Sequence, residues 1–431
     1  ELARYSGFRD SPIFFSQTVR LVVAEEGVSP PADAWLVLQT FRALVGRGHP
    51  GHKQVALDHL MFANPNVGGV PHVGGVPHVG GVGSDEYDVP GLGGRGPVAW
   101  IGHPPHRREL AQMSCRRPVV AILDTGVGQH DWLPAAIVDR FPTVQGNPIG
   151  IWPPSTDPEN TGVIDDPYEG LLDADSGHGT FIAGLIRQKC PDADILAIRV
   201  MDSDGVVPES QLLNALKLLA LRQLHAQAEG DATQIVDVVS LSLGYYHEQP
   251  EDWAFDPDIF APLFVLSECG VAVVASAGND STDRPMLPAA FTPYTGGYVG
   301  GFDASCVPLI SVGALNPDST IALFSNAGDW VRCHRPGAAL VSTFPETFNA
   351  SEQPSIRVKM PDGSIRATID LDDFSGGFGT WSGTSFSAPI LGGQIAQELV
   401  GGSCGSLDAL DSASSVSRSW AALTNLVEIS P

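Results

Sequence analysis

From residue 118 onward, short runs of valine, isoleucine and leucine alternate with longer stretches of helical period. "PVVAILDTGV", "ADILAIRVMD", "VDVVSLSLG", "VAVVASAGN" and "LISVGAL" are near-continuous apolar runs, the signature of strands buried on both faces. "GTFIAGLIRQ", "SQLLNALKLLALRQLHAQAEG", "IFAPLFVLSECG" and "SFSAPILGGQIAQELV" carry helical spacing, and the second of these stops on a glycine. The alternation predicts an α/β domain over 118–431, with a mostly parallel central sheet covered by helices on both faces. "SIRVKMPDGSIRATIDLDDF" (355–374) interrupts the pattern and predicts a hairpin with Asp-Gly in its turn.

Residues 1–63 have another texture. "QTVRLVVAEE" predicts a strand, "PADAWLVLQTFRALVGRG" an amphipathic helix closed by glycine, and "QVALDHLMFA" a strand or short helix. Together they predict a small α/β-like segment. Over 64–117 glycine and proline dominate, and "VGGVPHVGGVPHVGGVG" (67–83) writes a six-residue unit twice before breaking off. Such composition buries too little apolar surface to offset the entropy of ordering the backbone. The unit is also far shorter than the roughly 20 residues of a solenoid repeat. Residues 64–117 are therefore expected to be a linker. His72 and His78 on their glycine tether make a poor metal cage.

Charge narrows the partners. The chain of 431 residues carries a net charge of −25, which repels phosphate backbones and argues against nucleic-acid binding. No run of 18 apolar residues is present, so no membrane span is expected. The first residues, "ELARYSGFRDSPIFF", lack a basic-then-apolar secretion signal, although the chain starts at Glu1 rather than Met. The six cysteines (Cys115, Cys190, Cys269, Cys306, Cys333, Cys404) show no CxxC or Cys/His grouping, which argues against structural zinc. Three disulfides and six reduced thiols both remain open.

The candidate chemistry falls at strand ends and helix starts, where ligands of parallel sheets bind. Asp124 closes "VVAIL" in "DTG"; His178 in "DSGHGT" opens a helix; Ser385 in "SGTSFSAP" opens the last core helix; Asn279 ends "VAVVASAGN". Taken singly, each has an ordinary structural role as a cap, turn or loop residue. Together they have a mechanism. A serine hydroxyl becomes nucleophilic when an imidazole takes its proton, and a carboxylate fixes the tautomer and charge of that imidazole. Ser385 at a helix N-terminus offers a backbone N–H to a developing oxyanion, and Asn279 can supply the second donor.

The order Asp, His, Ser in "DTG", "HGT" and "GTSFSAP", with "SLSLG" and "ASAGN" between, resembles the subtilisin-like serine proteases over roughly 118–400. The resemblance implies the subtilisin-like three-layer fold, a triad of Asp124, His178 and Ser385, and Asn279 as oxyanion side chain. It implies that Ser242, Leu243 and Gly244 form the strand edge that pairs with substrate backbone, and that Ala277 and Gly278 wall the pocket for the residue before the scissile bond. The implied function is a serine endopeptidase acting on protein or peptide through an acyl-enzyme. An inert binding scaffold of the same fold, and acyl transfer to an amine, are the alternatives.

The chemistry requires no cofactor. Between Asp124 and His178 lies an acidic loop with Asp157, Glu159, Asp165, Asp166, Glu169, Asp173 and Asp175. Its plain reading is a solvated surface; calcium ligation and attraction of basic substrates are the sharper ones. Members of the family often carry an N-terminal prodomain that plugs the cleft. Residues 1–63 are of compatible size, so self-inhibition or recruitment of a partner is expected of them. The family tendency is secretion, and the compartment stays open.

Overall fold

Seven strands, each parallel to its neighbours, make the central sheet in the spatial order Cys333–Pro336, Ile310–Leu315, Ala272–Ser276, Val238–Leu241, Val119–Asp124, Asp194–Arg199, Val138–Asp139. The structure, a computed structural model, describes residues 17–21, 33–49, 52, 55–63, 87, 89–152, 156–247, 257–402 and 404–430. The repeat at 67–83 and half of the strand expected at 17–26 lie outside the described residues, and 17–21 are not strand.

The strands are apolar throughout because the two-residue side-chain period feeds two cores. Val120 and Ile122 enter one core and Ala121 and Leu123 the other; Ile195 and Ala197 are likewise opposed to Leu196 and Ile198. Helices His178–Lys189, Thr384–Val400 and Ser412–Leu426 cover the first face, and Glu209–Glu229 and Pro257–Glu268 the second. This is the expected three-layer α/β fold. The Glu209–Glu229 helix stops at Gly230 in the left-handed conformation, as its sequence predicts. The Ser412–Leu426 helix was not read from the sequence, where serines dilute its period; Asp411 caps it by accepting from Ser414 N at 2.9 Å. The predicted hairpin forms between Arg357–Lys359 and Ile365–Ala367, with Asp362 and Gly363 in a five-residue connection.

The sheet order reverses around Val119–Asp124, whose sequence neighbours lie on one side and later strands on the other. A crevice forms at such a switch point, and Asp124 ends the strand that borders it.

Two findings concern the N-terminal part. Residues 89–117, assigned to the linker on composition, are bonded onto the α/β domain. Gly96–Pro97 pairs with Gly379 and Thr380, Arg108 Nε meets Asp192 Oδ2 at 2.8 Å, and Arg116 grips Asp237 with two hydrogen bonds of 2.6 and 2.7 Å. Ladder bonds, charge pairs, the packing of Met113 and Cys115 against the first core, and stacking of Trp100 on Phe378 with ring centroids 5.5 Å apart hold this stretch. In the first segment, Ala34–Val45 is a helix capped by Asp33 and ended at Gly46. Leu60–Ala63 is a strand that pairs antiparallel with Val206–Pro208 on one side and with Leu243–Gly244 on the other. The six cysteines form no disulfide.

Candidate active site

Asp124 and His178 are fully buried, and Nδ1 of His178 lies 2.7 Å from Asp124 Oδ1. The approach depends on the glycine after the histidine: a Cβ on Gly179 would sit 2.0 Å from the carbonyl oxygen of Gly126. Phe386 and Trp381 pack their rings 5.2 and 5.8 Å from the imidazole and fix its plane. Burial acts to lower the His178 pKa, but the charge and hydrogen bond of Asp124, with the charges of Asp175 and Glu159, outweigh it and hold it above the ordinary value. Among the described residues, Nε2 of His178 has no hydrogen-bond partner.

Ser385 stands in the first turn of the Thr384–Val400 helix, and its hydroxyl donates to the Ser242 carbonyl at 3.3 Å. The Ser385–His178 hydrogen bond expected of a triad is thus not made in this arrangement. Such bonds are commonly long or absent before substrate binds. Ser242 Oγ donates back to the Ser385 carbonyl at 2.8 Å, tying the strand edge to the helix. Oδ1 of Asn279 accepts from Thr384 N at 2.9 Å and from Thr384 Oγ1 at 2.8 Å. With the oxygen held there, the amide presents its N–H₂ end as a donor. Ala277 is buried, and its carbonyl accepts from Asn326 Nδ2 at 2.8 Å. Gly278 N donates to Thr384 Oγ1 at 3.0 Å. All nine sequence-predicted residues therefore lie along one rim of the sheet, on adjoining strand ends and two helix starts.

The strand edge Leu243–Gly244 is occupied by the chain itself. Phe62 is paired with Gly244 and Ala63 with Leu243, while Ala63 N donates to Gly205 O at 2.8 Å. Met61 is fully buried, a contribution of about 1.5–3 kcal/mol to docking this segment. Upstream, His59 Nδ1 lies 2.8 Å from Glu209 Oε2 and the ring stacks on Tyr245. Asp58 accepts from Ser210 N at 2.8 Å at the start of the Glu209–Glu229 helix, where a carboxylate is favoured.

The acidic loop is not simply a solvated surface. Glu159 is fully buried: its Oε1 accepts from Thr125 Oγ1 at 2.5 Å and from Gly177 N at 3.1 Å, and its Oε2 is bonded to Thr180 Oγ1. One carboxyl group thus ties the residue after Asp124 to the residues on either side of His178. Asp175 is buried too, at 4 % exposure. Sequence reasoning missed both roles, because a run of Asp and Glu does not reveal which side chain turns inward. Asp173 serves the loop itself, accepting from Ile164 N at 2.7 Å. Among the described residues, no three His, Cys, Asp or Glu side chains converge as a metal-ligand set.

Burial, opposed by the hydroxyls of Thr125 and Thr180 and reinforced by Asp157 and Asp124, pushes the Glu159 pKa up to about 8. A carboxyl raised in the folded state favours folding fully below its ordinary value of 4.5, and that contribution is lost as pH rises through about 8. The unfolding midpoint of the protein should therefore fall between those limits. Glu159→Gln should flatten this part of the profile, as thermal melts at pH 5, 7 and 9 will read. An identical slope in both proteins would remove Glu159 as its source.

Among the described residues, no helix is long and apolar enough to cross a membrane. Comparison with known proteins gives a match to the model of the subtilase family over residues 116–399. The minor extracellular protease Epr of Bacillus subtilis (strain 168) is 24 % identical over 242 residues, covering 54 % of this chain and 28 % of the relative. Fervidolysin of Fervidobacterium pennivorans is 27 % identical over 291 residues, covering 64 % and 34 %. The chain thus spans about a third of the length of these relatives. Among solved structures, a lanthipeptide protease aligns with a TM-score of 0.43 and 19 % identity over 65 % of this chain and 72 % of that one. With the family model matching well over half of its residues, this chain belongs to the subtilase family.

Proposed function

We propose that the protein is a serine endopeptidase in which Ser385 attacks the peptide carbonyl, His178 takes and returns the proton, Asp124 holds the imidazole, and Asn279 with the backbone N–H of Ser385 stabilises the oxyanion. The observation that carries this reading is the peptide already in the crevice: Leu60–Ala63, extended and antiparallel between Val206–Pro208 and Leu243–Gly244. A cleft that holds backbone by ladder bonds on two sides accepts polypeptide as a class, with side chains choosing among sequences. Labelling with a fluorophosphonate, with Ser385→Ala as control, tests the nucleophile. Absence of label on a folded protein would favour the inert scaffold, and product analysis with an added amine separates hydrolysis from acyl transfer.

The same contact supports reading residues 1–63 as a prodomain-like, self-occluding segment. Met61→Asp places a charge where a side chain is fully buried and should loosen the segment. The expected result is an initial rate on a short peptide at least about tenfold higher than wild type, since roughly 1.4 kcal/mol of lost docking is a factor of ten. An unchanged or lower rate would count against self-occlusion.

A further inference from the structure

The hairpin of Arg357–Lys359 and Ile365–Ala367 stands off the domain as a two-stranded sheet of its own. From Ser355 to Ile369 every residue except Met360 is exposed, so neither face of the hairpin is covered. A two-stranded sheet alone in water is marginally stable at best. This one also shows apolar side chains to solvent: Ile356, Val358, Ile365 and, at 75 % exposure, Ile369. Register sets Arg357 opposite Ala367 and Lys359 opposite Ile365. Paired residues share a face, so one face carries two cations beside two apolar side chains. Arg366, opposite Val358, stands on the other face.

Free cations are scarce in this chain, which has 24 basic against 49 acidic residues. Elsewhere arginines are engaged, Arg95 and Arg140 with carbonyls, Arg116 and Arg199 with carboxylates. Arg357, Lys359 and Arg366 have no such partner among the described residues. The one carboxylate between them in sequence, Asp362, is held at the turn, where it accepts from Ser364 N at 2.9 Å.

The complementary surface is adjacent. Ser351, at the foot of the hairpin, donates from N to Gly170 O at 2.9 Å and from Oγ to Glu169 O at 2.7 Å. That contact sets the hairpin beside the acidic loop, where Asp165, Asp166 and Glu169 are exposed together with Tyr168 and Leu171. Loop and hairpin thus form one surface, with opposite charge and exposed apolar side chains in its two halves. Among the described residues, no ion pair joins the halves within the chain. Adjacent halves that attract but do not meet in one molecule are self-complementary under a two-fold rotation, the commonest symmetry of protein dimers. Residues 164–171 and 355–371 number eight and seventeen, within the roughly 20–30 that a stable interface takes from each side.

We propose that this surface is the interface of a two-fold dimer, in which the basic hairpin of each copy lies on the acidic loop of the other. Tyr168, Leu171, Ile365 and Ile369 leave water there, and the opposite charges set orientation and partner. The second copy supplies the cover that the lone hairpin lacks.

The test uses the full chain carrying Ser385→Ala, so that no self-cleavage intervenes, and reads the association state by sedimentation velocity over a concentration series. A dimer is expected at about 0.1 M salt. Its dissociation constant should rise at least about tenfold at about 1 M, where charges act over roughly 3 Å rather than 10 Å. Arg357→Glu with Lys359→Glu should be monomeric, because the hairpin then meets a loop of like charge. Asp165→Lys with Glu169→Lys should be monomeric for the converse reason. Mixing the two variants should restore the dimer, since each hairpin again faces a loop of opposite sign. All four positions are exposed, and melting curves matching the parent's will show that both variants fold. A monomer throughout the series, a dimer that neither variant breaks, or a mixture that stays monomeric would overturn the proposal.

Discussion

Replacing Ser385 by alanine is expected to abolish peptide hydrolysis, His178→Ala to do the same, and the double variant to be no worse than either. The reason is that the hydroxyl and the imidazole perform one step together: the serine becomes a nucleophile only as the imidazole takes its proton, so removing either removes the step. In subtilisin the corresponding losses are about 2 × 10⁶ in kcat and are not additive, and that magnitude is transferred here. Kinetics of the purified variants on a single peptide read the result, and multiplicative losses would mean that the two side chains do not act as a unit. The geometry adds a pH expectation. The base works when neutral, and Asp124, Asp175 and Glu159 together hold the His178 pKa above its ordinary value against the effect of burial. The acid limb of kcat/KM should therefore lie above the usual imidazole value of about 6.5.

The second large effect belongs to Asn279. Its carbonyl oxygen is anchored twice on Thr384, which commits the amide to donate from its other end, beside the helix start that carries Ser385. A donor aimed at charge that develops only in the transition state contributes to kcat and little to ground-state binding. Asn279→Ala should lower kcat by about 10²–10³, the loss measured for the equivalent donor in subtilisin, with KM nearly unchanged. A change confined to KM would reassign Asn279 to substrate binding. Asn279→Asp is the sharper variant: it keeps the shape but places a carboxylate near the oxyanion, and should be no more active than alanine.

Most of the architecture was legible because it rests on local pattern. The runs "VVAIL" and "AVVAS" are apolar at every position, and only a strand with a core on each face needs that. The helix of Glu209–Glu229 carried its period and its glycine stop in the sequence. Misreadings arose where order comes from polar contacts. Residues 89–117 look like slack chain by composition, yet Arg107, Arg108 and Arg116 bind Asp194, Asp192 and Asp237 across about 80–120 residues of sequence. The acidic loop read as surface because its charges look alike. Burial of Glu159 depends on two threonine hydroxyls and a backbone N–H from other parts of the chain.

By itself the sequence determined the layered α/β domain, the order of its elements, and the residue types needed for acyl transfer at strand ends and helix starts. These follow from side-chain period and from motifs whose residues are neighbours in the chain. Tertiary structure alone decided that Asp124 and His178, 54 residues apart, share a hydrogen bond. It alone decided that Leu60–Ala63 pairs with Val206–Pro208 on one side and Leu243–Gly244 on the other. Those relations join side chains across long loops. Composition does not record which groups are close, because proximity is set by how the layers pack.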